Sequence, residues 1–256
     1  MLAREYCQND YLVFTFSPTR YTQFMTLTLN AKDKENINNI VERIEKKKRR
    51  DPRASLAQLS FSALFVLLNQ EERLVVRKLR ELNPKRYGFK GPFLGITQVP
   101  KRLVIVRNQR YLRGDKPETL PPQLVPPLVH RYYLNLCTAM RREIGRTILI
   151  ESGYRSPAYQ ILVFLFYLRF HGWDLQKAAK RVALPSYSEH GYPPRQALDF
   201  MTKDGIPSDD NPLAFARTQE YTWLLKHASD FRFTLSYPKN NRLGVDYEPW
   251  HWAFTR

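Results

Sequence analysis

Leu243-Gly244-Val245-Asp246-Tyr247-Glu248-Pro249-Trp250-His251-Trp252-Ala253-Phe254 is the stretch on which the fold turns. It alternates well enough to read as a strand, and so does Phe231 to Tyr237 just before it. Pro238-Lys239-Asn240-Asn241 supplies turn residues between them, so the spacing predicts an antiparallel pair. Working backwards, Ala197-Leu198-Asp199-Phe200-Met201 places a carboxylate among apolar residues on an expected strand. Ile148-Leu149-Ile150-Glu151-Ser152 reads as a buried strand leading into Gly153-Tyr154-Arg155-Ser156.

Helices surround these strands. Pro157 to Phe170 is almost wholly apolar and therefore central to a core. Leu128 to Ile144 is a helix with Gly145 as its C-cap, and Asp174 to Val182 is a short one with Asp174 as N-cap. Asn211-Pro212 starts a helix that runs to about Ser229. Upstream, Leu103–Val106 is a short strand and 114–127 a Pro-rich loop. Asp33 to Arg50 is amphipathic, with Ile37, Ile40, Val41 and Ile44 on one face, and Leu56 to Leu82 is a second helical region stopped by Asn83-Pro84. Two strands are expected at Tyr11–Phe16 and Phe24–Leu29. The proline- and glycine-rich stretch 84–100 marks a boundary near residue 98. The expected class is α+β: a small antiparallel sheet with packed helices over 99–256, preceded by a basic mixed α/β domain over 1–98.

The chain of 256 residues carries a formal net charge of +17, distributed unevenly. Residues 1–150 hold 28 Lys/Arg against 13 Asp/Glu, whereas 151–256 hold 13 against 11. A basic surface favours a polyanion: nucleic acid, anionic lipid or an anionic cell-wall polymer. The run Lys46-Lys47-Lys48-Arg49-Arg50 fits a nucleic-acid patch, or a solvated helix end where cations suit the dipole. Cys7 and Cys137 make neither a disulfide framework nor a thiolate metal site, and are read as unpaired thiols. No secretory signal is visible, and the longest apolar stretch, Ile161 to Leu168, is shorter than the roughly 20 residues of a membrane span.

Of the five histidines, His130, His171 and His227 read as surface or capping residues. His190 and His251 have more telling neighbours. With Asp199 and Glu248 they supply two imidazoles, one ligand-type carboxylate and one spare carboxylate. That is the inventory of a catalytic zinc site: three protein ligands, an open position and a general base. A buried Asp199 is costly unless charge-paired or metal-bound, and a salt bridge to nearby Arg195 would also satisfy it. Glu248 and His251 are three apart, so in an extended segment they face opposite sides. Pro249 and Trp250 must bend the chain for both to meet one site, with Trp250 and Trp252 as apolar walls. A Trp-rich core strand with a stray histidine is the other reading of that segment.

The set Ser152-Gly153-Tyr154-Arg155-Ser156, Gln160, Ser188-Glu189-His190, Ala197-Leu198-Asp199 and Tyr247-Glu248-Pro249-Trp250-His251-Trp252 resembles the zinc D-alanyl-D-alanine carboxypeptidases of the vancomycin-resistance type. That family extends to D-Ala-D-Ala dipeptidases and phage endopeptidases. The resemblance covers about residues 100–256. It implies that His190, Asp199 and His251 bind zinc, that Glu248 is the general base, and that Arg155 stabilises the oxyanion. Ser188, Gln160 and Trp250 would hold the substrate. Eight residues separate His190 from Asp199 where the family usually has six, so the intervening turn is expected to be lengthened.

The implied function is hydrolysis of a peptide bond in the peptidoglycan stem, foremost removal of the terminal D-Ala, at the bacterial cell wall or periplasm. An endopeptidase of the phage-lysin type is the alternative. A non-catalytic module binding wall polymer or nucleic acid is a third, less favoured because it would not require Glu248 and Arg155. The basic N-terminal part would hold the enzyme to an anionic wall.

Overall fold

The computed structural model describes residues 27–50, 56–206 and 211–255. It opens with helices α1 (Ala31–Arg50), α2 (Phe61–Val66) and α3 (Gln70–Arg80). Strands β1 (Val104–Val106), β2 (Arg110–Arg113), β3 (Lys116–Thr119) and β4 (Gln123–Val125) come next. Then follow α4 (Pro127–Ile144), β5 (Ile148–Ser152), α5 (Pro157–Phe170), α6 (Leu175–Arg181), β6 (Ala197–Thr202), α7 (Pro212–Ala216), α8 (Gln219–His227), β7 (Phe233–Leu235) and β8 (His251–Phe254). The main sheet has the order β5-β6-β8-β7 with every pair antiparallel. β1 pairs with β4 and β2 with β3 in two small ribbons. The class is α+β, as the sequence implied.

One large core packs on a face of the sheet, and another is built mainly from helices without any residue of that sheet. In one, Val129, Leu136 and Met140 of α4 and Leu224 of α8 pack against Ile148, Ile150, Leu198, Phe200, Trp252 and Phe254 of the sheet. In the other, the face Ile37, Ile40, Val41 and Ile44 of α1 joins Val75, Val76 and Leu79 of α3 and the apolar girth of α5. Residues on both sides of position 98 contribute to this second core. Each fully buried isoleucine there contributes about 1.5–3 kcal/mol relative to exposure. Polar clamps fix the register: Arg43 donates to both oxygens of the buried Glu72 at 2.9 and 2.8 Å, and Lys78 donates to Asp33 at 2.8 Å.

The structure corrects several sequence expectations. The helical region 56–82 is broken, because the Asn69 side chain and Glu72 form a reciprocal capping box that starts α3 afresh. The Pro-rich stretch 114–127 contains β3 and β4. The helix expected from Pro212 to Ser229 splits where Thr218 caps α8 by accepting from Tyr221 N. The last strand starts only at His251, since Pro249 has no N–H to give a ladder. The strand expected at Tyr11–Phe16 lies outside the described residues, as does Cys7. Of Phe24–Leu29 only 27–29 are described, and they form no strand. Cys137 is a free, buried thiol on α4. Among the described residues no helix is long and apolar enough to cross a membrane.

Candidate metal centre

The sheet sets the first two site residues. In the β6–β8 register Asp199 lies directly opposite His251, which brings two side chains from adjacent strands to one face. His190 comes from a short 3-10 turn, Glu189–Gly191, in the connection leading to β6. A second such turn, Pro193–Arg195, takes up the rest of the lengthened connection. One ligand-type atom from each of His190, Asp199 and His251 lies within 4.8 Å of the others, and this trio could hold a metal ion. Glu248 reaches the same place because Glu248–His251 is a turn, closed by His251 N donating to the Glu248 carbonyl at 3.2 Å. Its carboxylate stands 3.7 Å from His251 Nδ1.

Hydrogen bonding fixes which ring nitrogens face inward. His190 Nδ1 lies 2.8 Å from the Gly153 carbonyl, which can only accept, so Nδ1 carries the proton and Nε2 the lone pair. Gly153 must be glycine, because a Cβ there would sit 2.3 Å from the Leu124 carbonyl. Burial lowers the His190 pKa to about 4, aided by the neighbouring Arg155 charge, so the ring is neutral at pH 7. Its Nε2 is buried without a hydrogen-bond partner, yet lies 3.2 Å from Asp199 Oδ2. Two electron-pair donors at that distance repel unless a cation lies between them. The donor set therefore fits a divalent metal ion.

His251 is held from both sides. Its Nδ1 is 2.9 Å from Asp199 Oδ1 and its Nε2 is 3.1 Å from Glu189 Oε2. Burial opposes charge on the ring, but the hydrogen bonds to Asp199 and Glu189 outweigh it and raise its pKa to about 10. Burial likewise pushes the Asp199 carboxyl up, yet it is held low, with the charged His251 ring hydrogen-bonded to it at 2.9 Å. An ion taking His251 Nδ1 must then displace a proton. We expect metal binding at pH 7 to release about one proton per ion, read by calorimetry in buffers of different ionisation enthalpy. Zero release would mean that His251 is already neutral.

Glu189 is the residue that sequence reasoning missed. Its carboxylate accepts from Ser236 Oγ and Arg195 Nε, each at 2.5 Å, and faces His251 Nε2. Burial acts against its charge, yet His251, Ser236 and Arg195 bring its pKa down to about 2. Arg195, considered above as a partner for Asp199, is thus committed to Glu189. Orienting carboxylates of this kind tune the basicity and direction of an imidazole ligand. Glu189→Gln should weaken metal affinity by about 10–100-fold, measured by chelator competition, and unchanged affinity would remove Glu189 from this role.

His190, Asp199, His251, Glu248, Arg155, Ser188, Gln160 and Trp250 all line one cavity of about 330 Å³, a volume suited to a small ligand. The cavity opens between the two cores, with Tyr154 and Tyr159 from one and Trp250 from the other. Tyr237 also lines it, its ring centroid 4.7 Å from that of His251. His130, His171 and His227 lie elsewhere, and His171 caps the end of α5.

The model of the family VanY, D-alanyl-D-alanine carboxypeptidase, matches residues 124–256. A putative carboxypeptidase of Bacillus subtilis (strain 168), YodJ, is 32% identical over 110 residues, covering 42% of this chain and 38% of that protein. The chain thus spans about two fifths of the length of the curated relative it matches. Among solved structures, the LD-carboxypeptidase LdcB is 24% identical with a TM-score of 0.49, covering 68% of this chain and 78% of that one. A mutant of the vancomycin resistance D,D-pentapeptidase VanY, solved with Zn(II), is 22% identical with a TM-score of 0.45, covering 66% and 89%. With more than half of its length matched by the family model, the chain belongs to the VanY D-alanyl-D-alanine carboxypeptidase family.

Proposed function

We propose that this protein is a zinc-dependent D,D-carboxypeptidase that removes the terminal D-Ala from peptidoglycan stem peptides. The observation that carries the reading is the meeting, in one cavity, of the His190–Asp199–His251 trio with Glu248 and Arg155. His190 Nε2, an Asp199 oxygen and His251 Nδ1 would hold the ion. Bound there, zinc supplies Lewis acidity that polarises the scissile carbonyl and acidifies a water.

Glu248 takes the proton from the attacking water and returns it to the leaving amine of the released D-Ala, so one carboxylate serves as base and then acid. Its backbone is pinned for this by Glu248 N donating to the Tyr237 carbonyl at 3.1 Å. Arg155 places a permanent cation where the carbonyl oxygen becomes negative. Its Nε is buried without a protein partner, which leaves that donor for an incoming oxygen. Gln160 donates to the Ala183 carbonyl at 2.8 Å, while its own Oε1 is buried without a partner. That oxygen suits a substrate amide N–H. Ser188 and Trp250 complete the walls of the same cavity.

Mass spectrometry of pentapeptide muropeptides incubated with the zinc-loaded protein tests this reading. Loss of one terminal alanine is the expected result. Cleavage inside the stem would keep the zinc chemistry and make the protein an endopeptidase. No cleavage by a protein with zinc confirmed bound would overturn the hydrolase.

A further inference from the structure

α5 starts beside the metal trio, because Arg155 N, two residues before it, donates to the His190 carbonyl at 3.1 Å. From there the helix runs away from that point. Along it Tyr159, Val163, Phe166 and Tyr167 recur at helical spacing, and all four line the cavity. One turn further on, the stripe continues past the cavity with Phe170, which is 73% exposed. The rings of Phe166 and Phe170 lie near-parallel, with centroids 6.4 Å apart and 14° between their planes. Tyr167 and His171, the next residue along in each case, stack in the same way, with 24° between planes. A lone exposed phenylalanine is ordinary. Phe170 is instead half of a stacked pair whose other member, Phe166, belongs to the cavity wall, so the two form an aromatic ledge continuous with the site.

We propose that this ledge binds the sugar of the glycan strand from which the stem peptide hangs. The inference rests on the carboxypeptidase reading above. Four residues precede the scissile bond of a stem pentapeptide, and fully extended they span about 13–14 Å. At the rise of an α-helix, Phe166 lies about 14 Å and Phe170 about 20 Å along the axis from Pro157. A peptide laid along α5 with its scissile bond at the metal trio therefore brings the sugar on its N-terminus level with these two rings. The chemistry matches as well. A pyranose has a face of C–H groups that packs on the electron-rich face of an aromatic ring, while its hydroxyls stay in water. Phenylalanine brings no hydrogen-bonding atom, so the ledge offers ring faces and suits a neutral sugar. If Phe170 served only to shield the end of α5, its loss would not depend on whether the substrate carries a sugar.

The test uses the full chain loaded with zinc and two substrates: a free stem pentapeptide, and the same pentapeptide carried on the N-acetylglucosamine–N-acetylmuramic acid disaccharide. Phe170→Ala should raise KM for the disaccharide substrate about 3- to 10-fold and leave the free peptide unaffected, and Phe170→Trp should keep the wild-type values. Unchanged KM for both substrates overturns the proposal. An equal rise for both also overturns it, since the ring would then only support the cavity wall. If the wild type hydrolyses neither substrate, the carboxypeptidase reading has failed instead. Calorimetric binding of the two compounds to wild type and Phe170→Ala then decides the ledge by itself. Weaker binding by the variant of the disaccharide compound alone upholds it, and equal binding by both proteins overturns it.

Discussion

Glu248→Ala is expected to lower kcat by about 10²–10⁴-fold while leaving the metal content of the purified protein unchanged. The geometry separates the two quantities. Glu248 stands 3.7 Å from His251 Nδ1, close enough to reach a water beside a bound ion, and it lies outside the His190–Asp199–His251 trio. Its position depends on the backbone of the turn, since His251 N donates to the Glu248 carbonyl and Glu248 N to that of Tyr237. Removing the side chain therefore leaves the ligand geometry in place. Parallel steady-state kinetics and metal analysis check this. Loss of metal together with activity would make Glu248 a ligand instead of a base.

Asp199→Asn should cut metal affinity by at least about 10²-fold and abolish hydrolysis with it, exceeding the 10–100-fold typical of an outer carboxylate. The substitution keeps the shape of the side chain and its place opposite His251 but removes the negative charge between two imidazoles. Metal content and chelator competition read the first effect, and circular dichroism confirms that the sheet persists. Full metal occupancy in a folded Asp199→Asn protein would refute the assignment of this aspartate.

Elements whose local signals agree were legible in the sequence. β5 and α5 fall at Ile148–Ser152 and Pro157–Phe170 as read, because apolar runs there are bounded by a serine cap and a proline at the first helical turn. The buried face of α1 followed from its period alone. The breaks at Asn69 and Thr218 were hidden because caps sit inside stretches whose apolar content continues across them. The eight residues read as site residues all line the one cavity, but their mutual geometry was not in the spacing. The register of Asp199 with His251 is set by pairing across a long connection. Glu189 carries no such signal, because neighbours in a tight turn diverge in direction and its place behind His251 depends on the fold. Lys48 was read as part of a charge run, which looks the same in sequence whether it meets water or lines a cavity.

The core that α1 and α3 share with α5 has a practical consequence for anyone who would trim the helices α1 to α3 from this protein. A fragment beginning at residue 99 would strip α5 of that cover. Ile161, Leu165 and Leu168, all now fully buried, would lie on a helix with an unclothed apolar side. Such a fragment should self-associate and come out of solution, and since α5 also carries Tyr159 and Gln160, whatever stayed soluble would have lost the firmness of one cavity wall.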